Sequence, residues 1–145
     1  IMWYPDSIRI GAFVKPWATD LGGLSAYEIK RNNQGLLCMY DTIEKRLTVL
    51  SDYVIDDGCH VSPSPLGDKV VLDSYDGKKL QILCYDMISG KMEELFRARQ
   101  VQVMENGIGV NHKFNPHPVF SPDGKRVIFN SCTDGLIKLC ELAMN

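Results

Sequence analysis

Short apolar runs alternate with tight clusters of Gly, Pro, Asp and Asn along the whole chain. The middle of the sequence shows the pattern most plainly. His60–Ser64, Lys69–Ser74, Leu80–Asp86 and Lys91–Phe96 read as strands, separated by Pro65-Leu66-Gly67-Asp68, Asp76-Gly77 and Ser89-Gly90. Strands this short, joined by turns this tight, predict an antiparallel meander. Upstream, Ile8–Val14 is a candidate strand, after which Lys15-Pro16-Trp17 and Gly22-Gly23 interrupt the pattern. Ser25–Lys30 is expected to pair with Leu36–Tyr40 across the turn-forming Asn32-Asn33-Gln34-Gly35. Leu47–Leu50 follows, with Glu44-Lys45-Arg46 as its hairpin. Downstream, Arg97–Phe114 reads as a long connection, and His117–Ser121, Arg126–Ser131 and Leu136–Leu142 as three more strands.

The pattern repeats in detail. Laying Asn115-Pro116-His117-Pro118-Val119-Phe120-Ser121-Pro122 over the segment that ends His60-Val61-Ser62-Pro63-Ser64-Pro65 puts His117 on His60 without a gap. The same offset places Gly124 on Gly67, Arg126 on Lys69, Val127 on Val70 and Asn130 on Asp73. A third copy opens the chain, where Trp3-Tyr4-Pro5-Asp6-Ser7 matches Phe120-Ser121-Pro122-Asp123-Gly124. Further on, Tyr40-Asp41 matches Tyr85-Asp86. Self-similarity at a period of roughly 57 residues marks a repeat architecture.

A four-stranded antiparallel meander repeated head to tail, with an apolar middle strand such as Val127-Ile128-Phe129, is the pattern of a β-propeller blade. A single small sheet exposes two faces, and only neighbouring blades bury them. The expectation is an all-β propeller fragment of about three blades, the first and last incomplete. Residues 1–58 form a partial blade with an insertion at 15–31, residues 59–114 a complete blade and a long connection, and residues 115–145 a final blade lacking its outer strand. Three blades make an arc, so the rest of a larger propeller is an expected partner, with this chain as its C-terminal portion.

Composition narrows the function classes. A formal charge of -2 with no dense Lys/Arg cluster argues against a nucleic-acid or anionic-membrane surface. No apolar run approaches the ~18 residues of a membrane helix. The five cysteines are odd in number, and Cys38, Cys84 and Cys140 lie inside apolar runs, where cysteine acts as a small hydrophobe. The inference is a reducing compartment, taken as the cytoplasm.

In a propeller the first strand of each blade lies nearest the axis, so repeat-equivalent residues at its start converge. That logic sets His60 beside His117 at the channel mouth. With His112 or the amide of Asn115 close in sequence, neighbouring imidazoles suit a divalent transition metal. The competing reading is that each histidine caps its strand by bonding a backbone carbonyl and binds nothing. Asp56-Asp57 and Cys59-His60 are weaker candidates, because adjacent residues of a strand face opposite sides.

The stretch His117-Pro-Val-Phe-Ser-Pro-Asp-Gly-Lys-Arg-Val-Ile-Phe129 resembles the blade signature of TolB-type propellers. A narrower resemblance is to oligogalacturonate lyases, seven-bladed enzymes of pectin breakdown. Trp3-Tyr4-Pro5-Asp6 resembles that family's Trp-Val-Pro-Asp-Gly, Cys59-His60 its Cys-Ser-His, and Pro116-His117-Pro118 its His-Pro-His-Pro. In that family three histidines and a glutamine hold a manganese-type ion at the channel mouth. The resemblance implies His60 and His117 as two of those ligands, Asn115 where a histidine is expected, and His112 near the glutamine. A further family histidine falls just upstream of Ile1.

What the resemblance implies is metal-assisted β-elimination from short oligogalacturonides, an acidic oligosaccharide substrate. The proton removed lies alpha to a carboxylate, and a cation on that carboxylate neutralises the charge that develops. Lys113 is the candidate partner of a substrate carboxylate; the alternative is a solvated loop lysine. The residues do not nominate a base. A second class stays open: a non-catalytic TolB-type propeller that binds a peptide or protein across its channel face.

Overall fold

The computed structural model describes residues 2–14, 34–56, 60–77, 79–101, 104–105, 108–109 and 115–144. His112, Lys113, Cys59 and the expected insertion at 15–31 lie outside the described residues. The described structure is all-β, with no helix long and apolar enough to cross a membrane.

Three antiparallel sheets follow one another along the chain. The first takes β1 (Met2–Trp3), β2 (Arg9–Val14), β3 (Gln34–Asp41) and β4 (Arg46–Val49) in that order, with β5 (Ile55–Asp56) added against the start of β3. The second is the regular meander β6 (Val61–Pro63), β7 (Lys69–Asp76), β8 (Lys79–Asp86) and β9 (Lys91–Arg99). A small hairpin, β10 (Met104–Glu105) with β11 (Ile108–Gly109), precedes the third sheet: β12 (Val119–Phe120), β13 (Arg126–Ser131) and β14 (Lys138–Ala143). The innermost strand β6 lies against both β1 and β12, so the sheets radiate from a line of three short strands.

The turn after each inner strand is built the same way three times. The backbone N–H of Tyr4, Ser64 and Ser121 donates to the carbonyl of Arg9, Lys69 and Arg126, at 2.8, 2.8 and 2.9 Å. Ser7, Gly67 and Gly124 donate back to the same three residues at 3.0, 2.9 and 2.8 Å. This closure needs a left-handed residue, and Gly67 and Gly124 supply it at φ 71° and 70°. Ser7 adopts φ 56° without glycine's freedom. In sheets two and three the serine hydroxyl also receives the N–H of Lys69 and Arg126. Tyr4 has no such oxygen, and Asp6 takes over by accepting from the N–H of Ile8 and Arg9 at 2.9 and 3.0 Å. Those two bonds hold the Asp6 carboxyl down at about 2.

Strand alternation sorts the core. On β7 and β8, Val70, Leu72, Leu83 and Tyr85 face the first sheet and meet Tyr4, Leu37, Ile55 and Val61. Val71, Leu80 and Ile82 face the other way and meet Val127 and Phe129 of the third sheet. The second sheet is thus buried on both faces, which is why its two central strands read as unbroken apolar runs. Each fully buried Val, Leu or Ile here contributes roughly 1.5–3 kcal/mol. The third sheet is buried on one face only, and β13 alternates accordingly.

Several expectations need correction. Leu36–Tyr40 lies on β3, which has β2 on one edge and β4 and β5 on the other. Ser25–Lys30 itself lies outside the described residues. The connection expected from Arg97 starts later, since β9 runs on to Arg99, and it contains the β10–β11 hairpin. In the first unit the inner strand, β1, has only two residues. The inner strands of units two and three are shorter than expected and begin after His60 and His117.

Candidate functional site

His60 and His117 sit just ahead of β6 and β12, and adjacency of those strands brings the two side chains together. Their ring centroids are 3.7 Å apart with planes inclined at 43°. The two backbones reach this point differently. At His60 the ladder continues regularly: the N–H of Asp73 on β7 donates to the His60 carbonyl at 3.3 Å. In the third sheet the equivalent N–H, from Asn130, donates to Pro116 instead, at 2.8 Å. His117 is bypassed and lies in the left-handed region at φ 46°, a conformation uncommon outside glycine. Buried Pro116 and Pro118 bracket it.

Asp73 anchors the other histidine. Its carboxylate accepts the His60 backbone N–H at 2.9 Å and meets His60 Nδ1 at 2.6 Å. The Asp73 side chain is 0% exposed and that of His60 22%. An ionised carboxylate only accepts, so His60 donates from Nδ1 to Asp73; whenever that ring is neutral, its lone pair is on Nε2. His117 is an exposed residue, yet its ring is pressed on its neighbour. Desolvation and then the nearby His60 lower its pKa, outweighing the opposite pull of Asp73. Its neutral form is favoured.

The pair opens on a cavity of about 230 Å³ lined by Met2, His60, Val61, Ser62, His117, Pro118 and Val119. The walls are mostly apolar and the histidines are the main polar groups. Of the other expected ligands, Asn115 is exposed ahead of β12, and its carbonyl lies 3.5 Å from the Asn130 amide that donates to it. His112 and Lys113 fall outside the described residues.

Two adjacent imidazoles, one of them backed by a carboxylate, are a donor set of the kind a divalent transition metal takes, since a buried acceptor on the far ring nitrogen orients a histidine ligand and raises its basicity. Among the described residues no three His, Cys, Asp or Glu side chains gather to hold an ion. Asp73 is not among the site candidates that the sequence offers. The available signal was a charge inside the apolar run Val70-Val71-Leu72-Asp73, opposite His60 once the hairpin is folded.

No protein-family model matches this sequence, and no curated protein matches it. Solved structures do. TolB from Acinetobacter baumannii aligns over 94% of this chain and 28% of its own, with 18% identity and a TM-score of 0.63. An oligogalacturonate lyase in complex with manganese aligns over 99% and 34%, with 19% identity and a TM-score of 0.68. The propeller domain of the Trilobed protease from Pyrococcus furiosus aligns over 93% and 36%, with 8% identity and a TM-score of 0.58. The chain thus spans roughly a third of the length of the propellers it matches. At these identities the likeness is one of fold: three sheets of a β-propeller.

Proposed function

We propose that this chain contributes part of a metal-assisted lyase that cleaves short acidic oligosaccharides, oligogalacturonides first among them, by β-elimination. The observation behind the reading is the meeting of His60 and His117, repeat-equivalent imidazoles at the inner strand ends, one of them fixed by a buried carboxylate. His60 and His117 would hold the ion, with His112 and the Asn115 side chain as the further candidates. A divalent cation such as manganese, if held by these residues, would supply positive charge beside a substrate carboxylate. Asp73 keeps His60 in place. Lys113 is proposed as a second contact to substrate carboxylates.

A second reading has its own observation. The cavity walls Met2, Val61, Pro118 and Val119 are apolar, which also suits a non-catalytic propeller that takes a peptide at its channel face. One assay separates the two. Full-length protein supplied with manganese and oligogalacturonides is followed by the absorbance of unsaturated uronate ends. The lyase reading expects product that chelation abolishes and metal restores. A metal-loaded protein that forms no product from any acidic oligosaccharide overturns it in favour of the binding scaffold.

A further inference from the structure

Two repeats place opposite hydrogen-bonding characters at one position. In the second sheet it is Asp73, a fully buried acceptor that engages both the backbone N–H and the Nδ1 of His60. In the third sheet it is Asn130, whose Nδ2 donates to the carbonyl of Asn115. The difference is chemical, because aspartate and asparagine share a shape.

We infer that Asp73 is a positioning residue that fixes His60 as its Nδ1–H tautomer and so makes Nε2 the nitrogen that meets a ligand. One carboxylate oxygen is committed to the His60 N–H at 2.9 Å, which leaves the other against Nδ1 at 2.6 Å. Asparagine in the same place must use its only acceptor on that N–H. Its amide nitrogen then confronts Nδ1 as a donor, and the ring proton has to move to Nε2. The lone pair would turn from the ligand side into the protein. The tautomer part of this inference stands on the hydrogen bonds alone; its consequence for a ligand rests on the metal reading proposed above.

The test is Asp73→Asn in the full-length protein. The fold already accommodates asparagine at this position in β13, and a thermal melt checks that the variant is folded. Nitrogen-15 spectra of the metal-free proteins, with the His60 signal assigned by its loss in His60→Gln, are expected to show Nδ1–H in the parent and Nε2–H in Asp73→Asn. Calorimetric titration with manganese is expected to show an affinity about 10–100-fold lower in the variant, the usual cost of losing a carboxylate behind a histidine ligand. The same tautomer in both proteins, or an unchanged manganese affinity, overturns the inference. If neither protein binds manganese, the metal reading falls, and the tautomer comparison still decides the role of Asp73.

Discussion

Ser7 and Lys45 hold left-handed backbone at φ 56° and 51° in turns where the other repeats use Gly67 and Gly90, at φ 71° and 68°. A residue with a Cβ pays roughly 1–2 kcal/mol for that conformation, offset in part by the lower entropy of its unfolded chain. Ser7→Gly and Lys45→Gly are therefore each expected to stabilise the protein by about 0.5–1 kcal/mol in urea melts, and Gly67→Ala to destabilise it by about 1 kcal/mol. Tyr4 supplies a second prediction. It is buried, and desolvation pushes its phenol up to about 12. The folded protein keeps a proton that the unfolded chain releases near pH 10. That contribution is complete below about pH 10 and is lost as the pH rises toward about 12. Tyr4→Phe is expected to lose less stability across this window than the parent, read from denaturant midpoints. His60 and His117 were legible at this scale because an ungapped repeat superposes them. The left-handed His117 and the anchoring Asp73 were not, since each depends on pairing across the hairpin and on burial that local sequence does not encode.

At the level of strands and turns, glycine spacing decides where elements approach. A methyl on Gly35 would lie 2.5 Å from the Val14 carbonyl and 2.6 Å from the Phe13 ring, whereas one on Gly11 would meet a Val61 methyl at 3.1 Å. Gly35→Ala is expected to cost about 1–3 kcal/mol, and Gly11→Ala measurably less. Phe129→Ala should cost about 3–5 kcal/mol, because Phe129 joins the second and third sheets and packs on Phe96 at 4.9 Å between centroids. The meander of the second sheet was readable because its turns carry glycine at fixed offsets and its strands are apolar on both faces. Strand partners in the first sheet were not. Asn32-Asn33-Gln34-Gly35 has the chemistry of a hairpin turn, but Gln34 and Gly35 already belong to β3, whose edges are taken by more distant strands.

Across the whole molecule, the two outer sheets are packed on one side by the middle one, and among the described residues the third ends in an edge strand. Along and before β14, Leu136, Ile137 and Leu139 are exposed, Leu139 at 76%. Unpaired edges with apolar neighbours promote association. The 145-residue chain is therefore expected to self-associate with rising concentration in sedimentation velocity, and Leu139→Lys to reduce that association; a monodisperse monomer at all concentrations would contradict this. The number of sheets and their order were legible from the repeat. How they converge was legible only as a consequence of the blade pattern, and it is this convergence that brings His60 within 3.7 Å of His117. The most direct test is the metal content of the full-length protein beside His60→Ala and His117→Ala. The account predicts about one divalent ion per chain in the parent and loss of that ion in both variants. A parent that binds no divalent metal, with variants that change only in stability, would contradict it and leave the histidine pair as a structural contact between blades.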